Sequence, residues 1–216
     1  MNIILMGLPG AGKGTQGKRL SQKLKMHHLS SGKIIRKVAR QNSSIGTVVK
    51  RYINRGELVP NEIITRIMKN RIMKLKRENK ILDGFPRNKK QIHVLEEILS
   101  NIEEKINLVI YLKVDEEELI TRLTGRRVCR LDNTVYHIKY DPPQKKGKCD
   151  KCGANIYQRK DDKREVVKKK IMVNRKKLDI IKKYYKNKGL LEVIDGNKDP
   201  AKVEKEIENI IELKKI

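Results

Sequence analysis

Residues 2–15 read Asn-Ile-Ile-Leu-Met-Gly-Leu-Pro-Gly-Ala-Gly-Lys-Gly-Thr. The apolar run 2–6 ends at Gly7 and reads as a buried parallel strand. A glycine-rich turn follows, and residues 12–25 read as a helix with Leu20 and Leu24 on one face. A strand, such a turn and a helix start together make an anion site. The loose turn lets backbone N–H groups point inward at a polyphosphate, and the helix N-terminus adds partial positive charge. Lys13 supplies a mobile cation for the outer phosphates. The general phosphate-loop pattern has Ser or Thr directly after the lysine. Here Gly14 stands there and Thr15 follows. A plain surface glycine turn is the competing reading, and the strand-loop-helix context argues against it.

Outward from this loop, residues 80–82, 107–112 and 190–194 are further short apolar runs. Helical stretches such as 89–99 and 116–123 separate them, and Asp115 with Glu118 forms a capping-box pattern. Alternating strands and helices imply an α/β fold with a parallel sheet flanked by helices. Two segments break the alternation. Residues 30–59 are polar and helical, and residues 127–160 lack helix periodicity and carry all three cysteines and Pro142–Pro143. The expected organisation is a core of 1–29, 60–125 and 161–216 with two insertions, 30–59 and 126–160. The final stretch, 201–216, reads as an amphipathic helix with Val203, Ile207, Ile210 and Ile211 as its stripe.

The 216 residues carry 52 Lys plus Arg against 26 Asp plus Glu, a formal net charge of +26. Such an excess is the electrostatic footprint of a nucleic-acid binder. The lysines, however, occur in nearly every segment, and no set of aromatic residues is interleaved to stack bases. Solvated lysines around a site for anionic nucleotides explain the charge without a nucleic-acid partner. No apolar run is long enough to span a bilayer. The expected compartment is the cytoplasm, where three cysteines stay reduced and favour a metal site over a disulfide.

Further motifs make the chain recognisable. GLPGAGKGT (7–15), Ser30-Ser31-Gly32 with Arg36, Gly56-Glu57-Leu58-Val59-Pro60, Leu82-Asp83-Gly84-Phe85-Pro86-Arg87 with Gln91, Gly125-Arg126-Arg127, Val135-Tyr136-His137, and Arg159-Lys160-Asp161-Asp162 occur in one order. Together they resemble the adenylate kinases over essentially the whole chain. The resemblance implies a phosphate-loop kinase core, an AMP-binding insertion, a lid, and reversible Mg²⁺-dependent transfer between ATP plus AMP and two ADP.

It also implies roles. Gly10, Ala11, Gly12, Lys13, Gly14 and Thr15 would hold ATP phosphates, with Arg122, Arg126, Val135, Tyr136 and the backbone at Lys198 completing the ATP site. Ser31, Arg36, Glu57, Leu58, Val59, Gly84, Phe85, Pro86, Arg87 and Gln91 would hold AMP, Gln91 by its adenine edge. Arg159 would meet the transferring group, with Lys170 near it, and Asp83 would hold Mg²⁺ through water. Arginines suit such work because a fixed cation forks onto two phosphate oxygens. Transfer between two anions needs positioning and charge neutralisation and no covalent intermediate.

Three departures stand out: Ser31 for the usual Thr, Lys33 for the usual Asp, and Lys170 for the usual Arg, which loses the bidentate fork. A UMP/CMP kinase is the competing assignment within the class, and Gln91 and the long lid favour AMP. A nucleic-acid-binding zinc module on a phosphate-loop scaffold is the competing class.

Cys129-Arg-Leu-Asp132 and Cys149-Asp-Lys-Cys152 are two pairs of the same internal spacing. Such turns can close a four-ligand zinc site, which with four protein ligands would be structural. Three free structural thiols are the alternative. The resemblance supports zinc, because many bacterial members carry a lid zinc, although the Asp here sits in the first pair. The expected partners are thus ATP, AMP, ADP, Mg²⁺ and Zn²⁺ on a monomer, with no membrane and no specific nucleic acid.

Overall fold

The computed structural model describes residues 1–55 and 59–215. The expected adenine-site positions Glu57 and Leu58 lie outside them. In chain order the elements begin β1 (Asn2–Met6), α1 (Lys13–Lys23), β2 (His27–Ser30), α2 (Ser31–Val38), α3 (Ser44–Arg55), α4 (Asn61–Met73), β3 (Lys80–Asp83) and α5 (Lys89–Ser100). They continue β4 (Leu108–Lys113), α6 (Glu116–Thr124), β5 (Arg126–Cys129), β6 (Val135–His137) and β7 (Ile156–Tyr157). A 3₁₀ turn (Lys160–Asp162), α7 (Arg164–Asn187), β8 (Leu191–Asp195) and α8 (Pro200–Leu213) complete the chain.

The five strands β2-β3-β1-β4-β8 form one parallel sheet. Strands β1 and β3 are buried throughout their length, as a sheet covered by helices requires. The core packs Ile3, Ile4 and Leu5 with Ile81, Leu82, Val109 and Ile110 from the sheet and Leu20, Leu95, Ile181 and Ile207 from the helices. Register sets the site. Leu5 pairs with Asp83, and Asp83 pairs with Ser30, so the ends of β1, β2 and β3 converge at the phosphate loop.

Two smaller clusters lie outside this core. Val38, Val49, Val59 and Ile67 join α2, α3 and α4. Cys129, Tyr136 and Cys149 form the other, within a three-stranded antiparallel sheet β6-β5-β7. The two peripheral pieces touch, since the Arg40 guanidinium donates to Asn133 Oδ1 at 3.2 Å.

Two expectations need correction. Asp115 stands at the α6 N-cap position, but its side chain caps nothing. Its Oδ2 accepts instead from Asn197 Nδ2 at 3.1 Å, and Glu118 is taken by Arg122 and Tyr140. The helical segment expected from residue 30 begins only at Ser31, because Ser30 closes β2. Among the described residues, no helix is long and apolar enough to cross a membrane.

Candidate active site

The phosphate loop bends through left-handed backbone at Gly10 (φ 88°) and Gly12 (φ 90°). A Cβ at Gly10 would lie 3.0 Å from the Leu119 carbonyl, so the loop seats on α6 only because glycine is there. Gly12 faces open space and precedes the first N–H groups of α1, whose first turn carries no acidic residue. Ala11, Gly14 and Thr15 complete this turn, with Ala11 N–H donating to the Leu8 carbonyl. Lys13 folds back over the loop, its Nζ donating to the Gly7 and Leu8 carbonyls at 2.9 Å each. Burial pushes its pKa down to about 8, with Arg87, Arg126 and Lys170 adding like-charge repulsion and Asp83 opposing it.

Asp83 is buried at the end of β3. Burial alone would raise its pKa, but His28, Lys13 and Ser30 together hold it below its ordinary value. The His28 imidazole is largely covered, its side chain 9% exposed, with Nε2 3.5 Å from Asp83 Oδ2. It can lie there because residue 17 is glycine, as a Cβ would fall 2.4 Å from that nitrogen.

At the ends of β2 and β3, the Ser31 hydroxyl donates to the Gly84 carbonyl at 2.7 Å, and Arg87 Nε donates to the same oxygen at 2.7 Å. Phe85 and Pro86 are buried beneath this turn, and Val59 is buried at the edge of the described segment. Gln91 is buried, with Oε1 accepting from Arg87 N–H at 2.7 Å and Nε2 donating to Asn61 at 2.8 Å. Arg36 is pushed down to about 10, first by burial and then by the charges of Arg159 and Arg126.

Arg126 is oriented by a buried carboxylate, as Asp162 accepts from its Nε at 2.8 Å and its NH2 at 2.6 Å. That two-point hold fixes the plane of the guanidinium. Lys170 pairs with Asp161. Lys13, Arg36, Arg87, Arg126, Arg159 and Lys170 therefore gather with Asp83, Asp161 and Asp162. This is a cation-rich cleft with fewer carboxylates than cations, suited to two phosphorylated ligands.

The adenylate kinase family profile matches residues 5–190. The chain belongs to the adenylate kinase family. An adenylate kinase of Archaeoglobus fulgidus is 44% identical over 213 residues, 98% of each chain. Adenylate kinases of Staphylococcus epidermidis and Staphylococcus aureus are also 44% identical over 213 residues, covering 98% of this chain and 99% of theirs. The chain is accordingly a nucleoside monophosphate kinase, a phosphotransferase whose family reaction is ATP + AMP = 2 ADP.

Some expected site residues of this adenylate kinase sit apart from the cation cluster. Arg122 lies at its rim, with Nε on Glu118 at 2.7 Å and NH1 on the Gly196 carbonyl at 2.9 Å. Lys198 turns its ammonium away to Glu206 at 2.8 Å, leaving backbone for a ligand. Tyr136 turns its side chain away from the cluster. Its ring is buried in the lid, with its hydroxyl 3.4 Å from Cys149 Sγ and accepting from Asp150 N–H at 2.8 Å. Its side chain is therefore spent on the lid core, while Val135 beside it is exposed.

His28 and Asp162, which touch Asp83 and Arg126, and Asn61, which touches only Gln91, were missed from the sequence. Asp162 alone carried a signal, as the last residue of the Arg-Lys-Asp-Asp motif.

The four donor atoms of Cys129, Asp132, Cys149 and Cys152 all lie within 4.8 Å of one another. Cys129 and Cys152 sulfurs are 3.4 Å apart, and Cys149 Sγ is 3.5 Å from Asp132 Oδ2. A tetrahedral zinc with sulfurs at about 2.3 Å would space its ligands by roughly 3.8 Å. The donor set and its spacing fit zinc. Thr134 N–H, then the Cys129 thiol, hold the Asp132 carboxyl well below the usual carboxylate range, so the oxygen is anionic and ready to ligate.

Proposed function

We propose that the cleft holds ATP on the phosphate loop and AMP against Arg36, Arg87 and Ser31, and moves the γ-phosphoryl group directly between them. The gathering of Lys13 and the arginines around Asp83 carries this reading. Lys13 would leave the Gly7 and Leu8 carbonyls for the outer ATP phosphates, which satisfy the ammonium better than two neutral oxygens. Arg126, held flat by Asp162, would neutralise the ATP phosphates, with Arg122 extending that contact at the rim. Arg159 and Lys170 would cover the transferring group, and Arg36 and Arg87 would fix the acceptor phosphate in line. Mg²⁺ bound with ATP would neutralise phosphate charge, and Asp83 would accept hydrogen bonds from its waters. Catalysis is then positioning and charge stabilisation.

Residues 30–59 and 126–160 are proposed to move as an AMP-binding insertion and a lid on the remaining core, excluding water from the transfer. The Arg40–Asn133 contact between them supports this reading. The lid is proposed to carry structural Zn²⁺ on Cys129, Asp132, Cys149 and Cys152. The active unit is proposed to be a monomer. The proposed compartment is the cytoplasm, where thiols stay reduced and available to hold zinc.

The test is a coupled assay with ATP, AMP and Mg²⁺. ADP formation should be reversible, and Lys13→Ala should abolish turnover with the fold intact by circular dichroism. Undiminished activity in that variant would overturn the assignment, as would firm retention on DNA at physiological salt with no ADP formed.

A further inference from the structure

Gln91 is held by a closed circuit of hydrogen bonds whose polarity can be worked out from its backbone members. The Arg87 N–H can only donate, so the Gln91 amide atom 2.7 Å from it must be the oxygen. The Gln91 nitrogen then faces Asn61 at 2.8 Å, and the Asn61 atom there must be the acceptor Oδ1. That oxygen also accepts from Asn88 Nδ2 at 2.9 Å. The Asn88 orientation is fixed independently, because its Oδ1 caps α5 by accepting the Gln91 N–H at 2.9 Å. Two backbone donors thus set three side-chain amides, and no member can flip without placing donor against donor.

After these bonds Gln91 retains one lone pair on Oε1 and one hydrogen on Nε2. Side by side, they form an acceptor–donor pair of fixed order. The adenine edge has the matching order: a 6-amino donor next to the N1 acceptor. A 6-oxopurine reverses both, with a 6-oxo acceptor beside an N1–H donor. A freely flipping glutamine amide would accept either base, whereas a locked one leaves a 6-oxopurine with two mismatched contacts. Discrimination of this kind is large because buried polar groups are left unpaired.

We infer that Asn61 is a positioning residue: with the Arg87 N–H fixing the order of the Gln91 amide, Asn61 holds its Nε2 in place, and together they select a 6-aminopurine monophosphate over a 6-oxopurine one. The inference rests on the reading that Gln91 meets the acceptor base. Asn61 touches no substrate in this scheme, and acts through Gln91 alone. It is exposed at the first position of α4, so its replacement leaves the core untouched.

The experiment compares AMP with inosine monophosphate, which differs at the 6-position, in the wild type and in Asn61→Leu, Asn61→Asp and Gln91→Leu. Asn61→Leu should lower the AMP-to-IMP ratio of kcat/KM roughly tenfold, about the worth of one lost hydrogen bond. It should act through KM for AMP, leaving kcat at saturation and KM for ATP within about twofold. Asn61→Asp keeps an acceptor for both amide N–H groups and should hold the ratio within about twofold of wild type. An unchanged ratio in Asn61→Leu, or an equal loss in Asn61→Asp, would overturn the lock. If Gln91→Leu raises KM for AMP while Asn61→Leu changes nothing, the lock alone fails. If Gln91→Leu leaves KM for AMP unchanged, the reading beneath it fails as well.

Discussion

Replacing Gly17 by alanine sets two effects of opposite sign against each other. Glycine inside a helix costs about 0.5–1 kcal/mol relative to alanine, so α1 should gain by that much. The new Cβ, however, would lie 2.4 Å from His28 Nε2, 2.7 Å from Cε1 and 2.8 Å from Cδ2. Carbon contacts are comfortable at about 3.5–4.0 Å, so the ring must retreat by roughly 1 Å. It has little room, since its side chain is 9% exposed and Asp83 stands 3.5 Å beyond the same nitrogen. Forcing a methyl into such packing costs about 1–3 kcal/mol. The balance makes Gly17→Ala destabilising by about 1 kcal/mol in the wild type. With His28→Ala the obstacle is gone, and the same substitution should stabilise by about 0.5–1 kcal/mol. Urea unfolding of the four proteins in this cycle measures the coupling, expected at about 1–3 kcal/mol. Because the displaced ring leans on Asp83, Gly17→Ala should also raise the Mg²⁺ concentration needed for half-maximal turnover. Equal effects of Gly17→Ala in the two backgrounds would refute the packing argument.

Two further outcomes follow from charge and from the lid. Lys13 is held at about 8 against an ordinary 10.5. Below pH 8 both folded and unfolded states are protonated and the fold bears the full cost of burying the cation. Between 8 and 10.5 the folded state loses its proton first, so this contribution to stability improves as pH rises. Bound phosphates favour the cation, so KM for ATP should be flat below pH 8 and rise above it; a flat profile to pH 10 would count against Lys13 as the phosphate contact. Purified, unchelated protein should contain about one zinc per chain by elemental analysis, retained in Asp132→Cys and weakened in Asp132→Ala. Chelation should melt the lid at a lower temperature than the core, with a cost below the roughly 10 kcal/mol seen for fully metal-dependent folds. Protein without metal and with three freely titrating thiols would remove the zinc proposal and leave the kinase standing.

The sheet was legible where burial leaves no choice. The runs at 2–6, 80–82 and 107–112 correspond to β1, β3 and β4 within a residue or two, because strands covered on both faces must be apolar, while the run at 190–194 corresponds to the edge strand β8, which is apolar in sequence although only Ile194 of it is buried. Strand β2, His-His-Leu-Ser, was not legible. It is an edge strand of four residues and owes its extension to pairing with β3. The long α7 was also not picked out, since a lysine-rich surface obscures Val167, Ile171, Leu178 and Ile181. For the site, motif residues gave the main cations and the metal knuckles. Roles that depend on a partner far along the chain stayed hidden. Nothing in the sequence ties Asp162 to Arg126, 36 residues away, or Asn61 to Gln91, 30 residues away. Asp115 and Glu118 show the converse: a correct local pattern is overruled when Asn197 and Arg122 offer those carboxylates other partners.

The net charge of +26 acquires a specific meaning only inside the cleft. Exposed lysines on helix faces are solvated and screened within about 8 Å at physiological salt, so they contribute little to the chemistry. Arg36, Arg126 and Arg159 are different. They stand close enough, and dry enough, for Arg36 to fall to about 10 through burial and the repulsion of the other two. Asp162 is committed to Arg126 and Asp161 to Lys170, so the carboxylates orient cations more than they neutralise the cluster. Bringing these arginines together therefore costs free energy until anions enter between them. In the proposed complex the phosphates of both substrates would be the counterions that relieve this repulsion. Such a cleft is penalised when closed empty and rewarded when closed full. On the proposed closure, the same repulsion would make closing depend on bound phosphates, which is what an enzyme needs to move a phosphoryl group to a nucleotide and not to water.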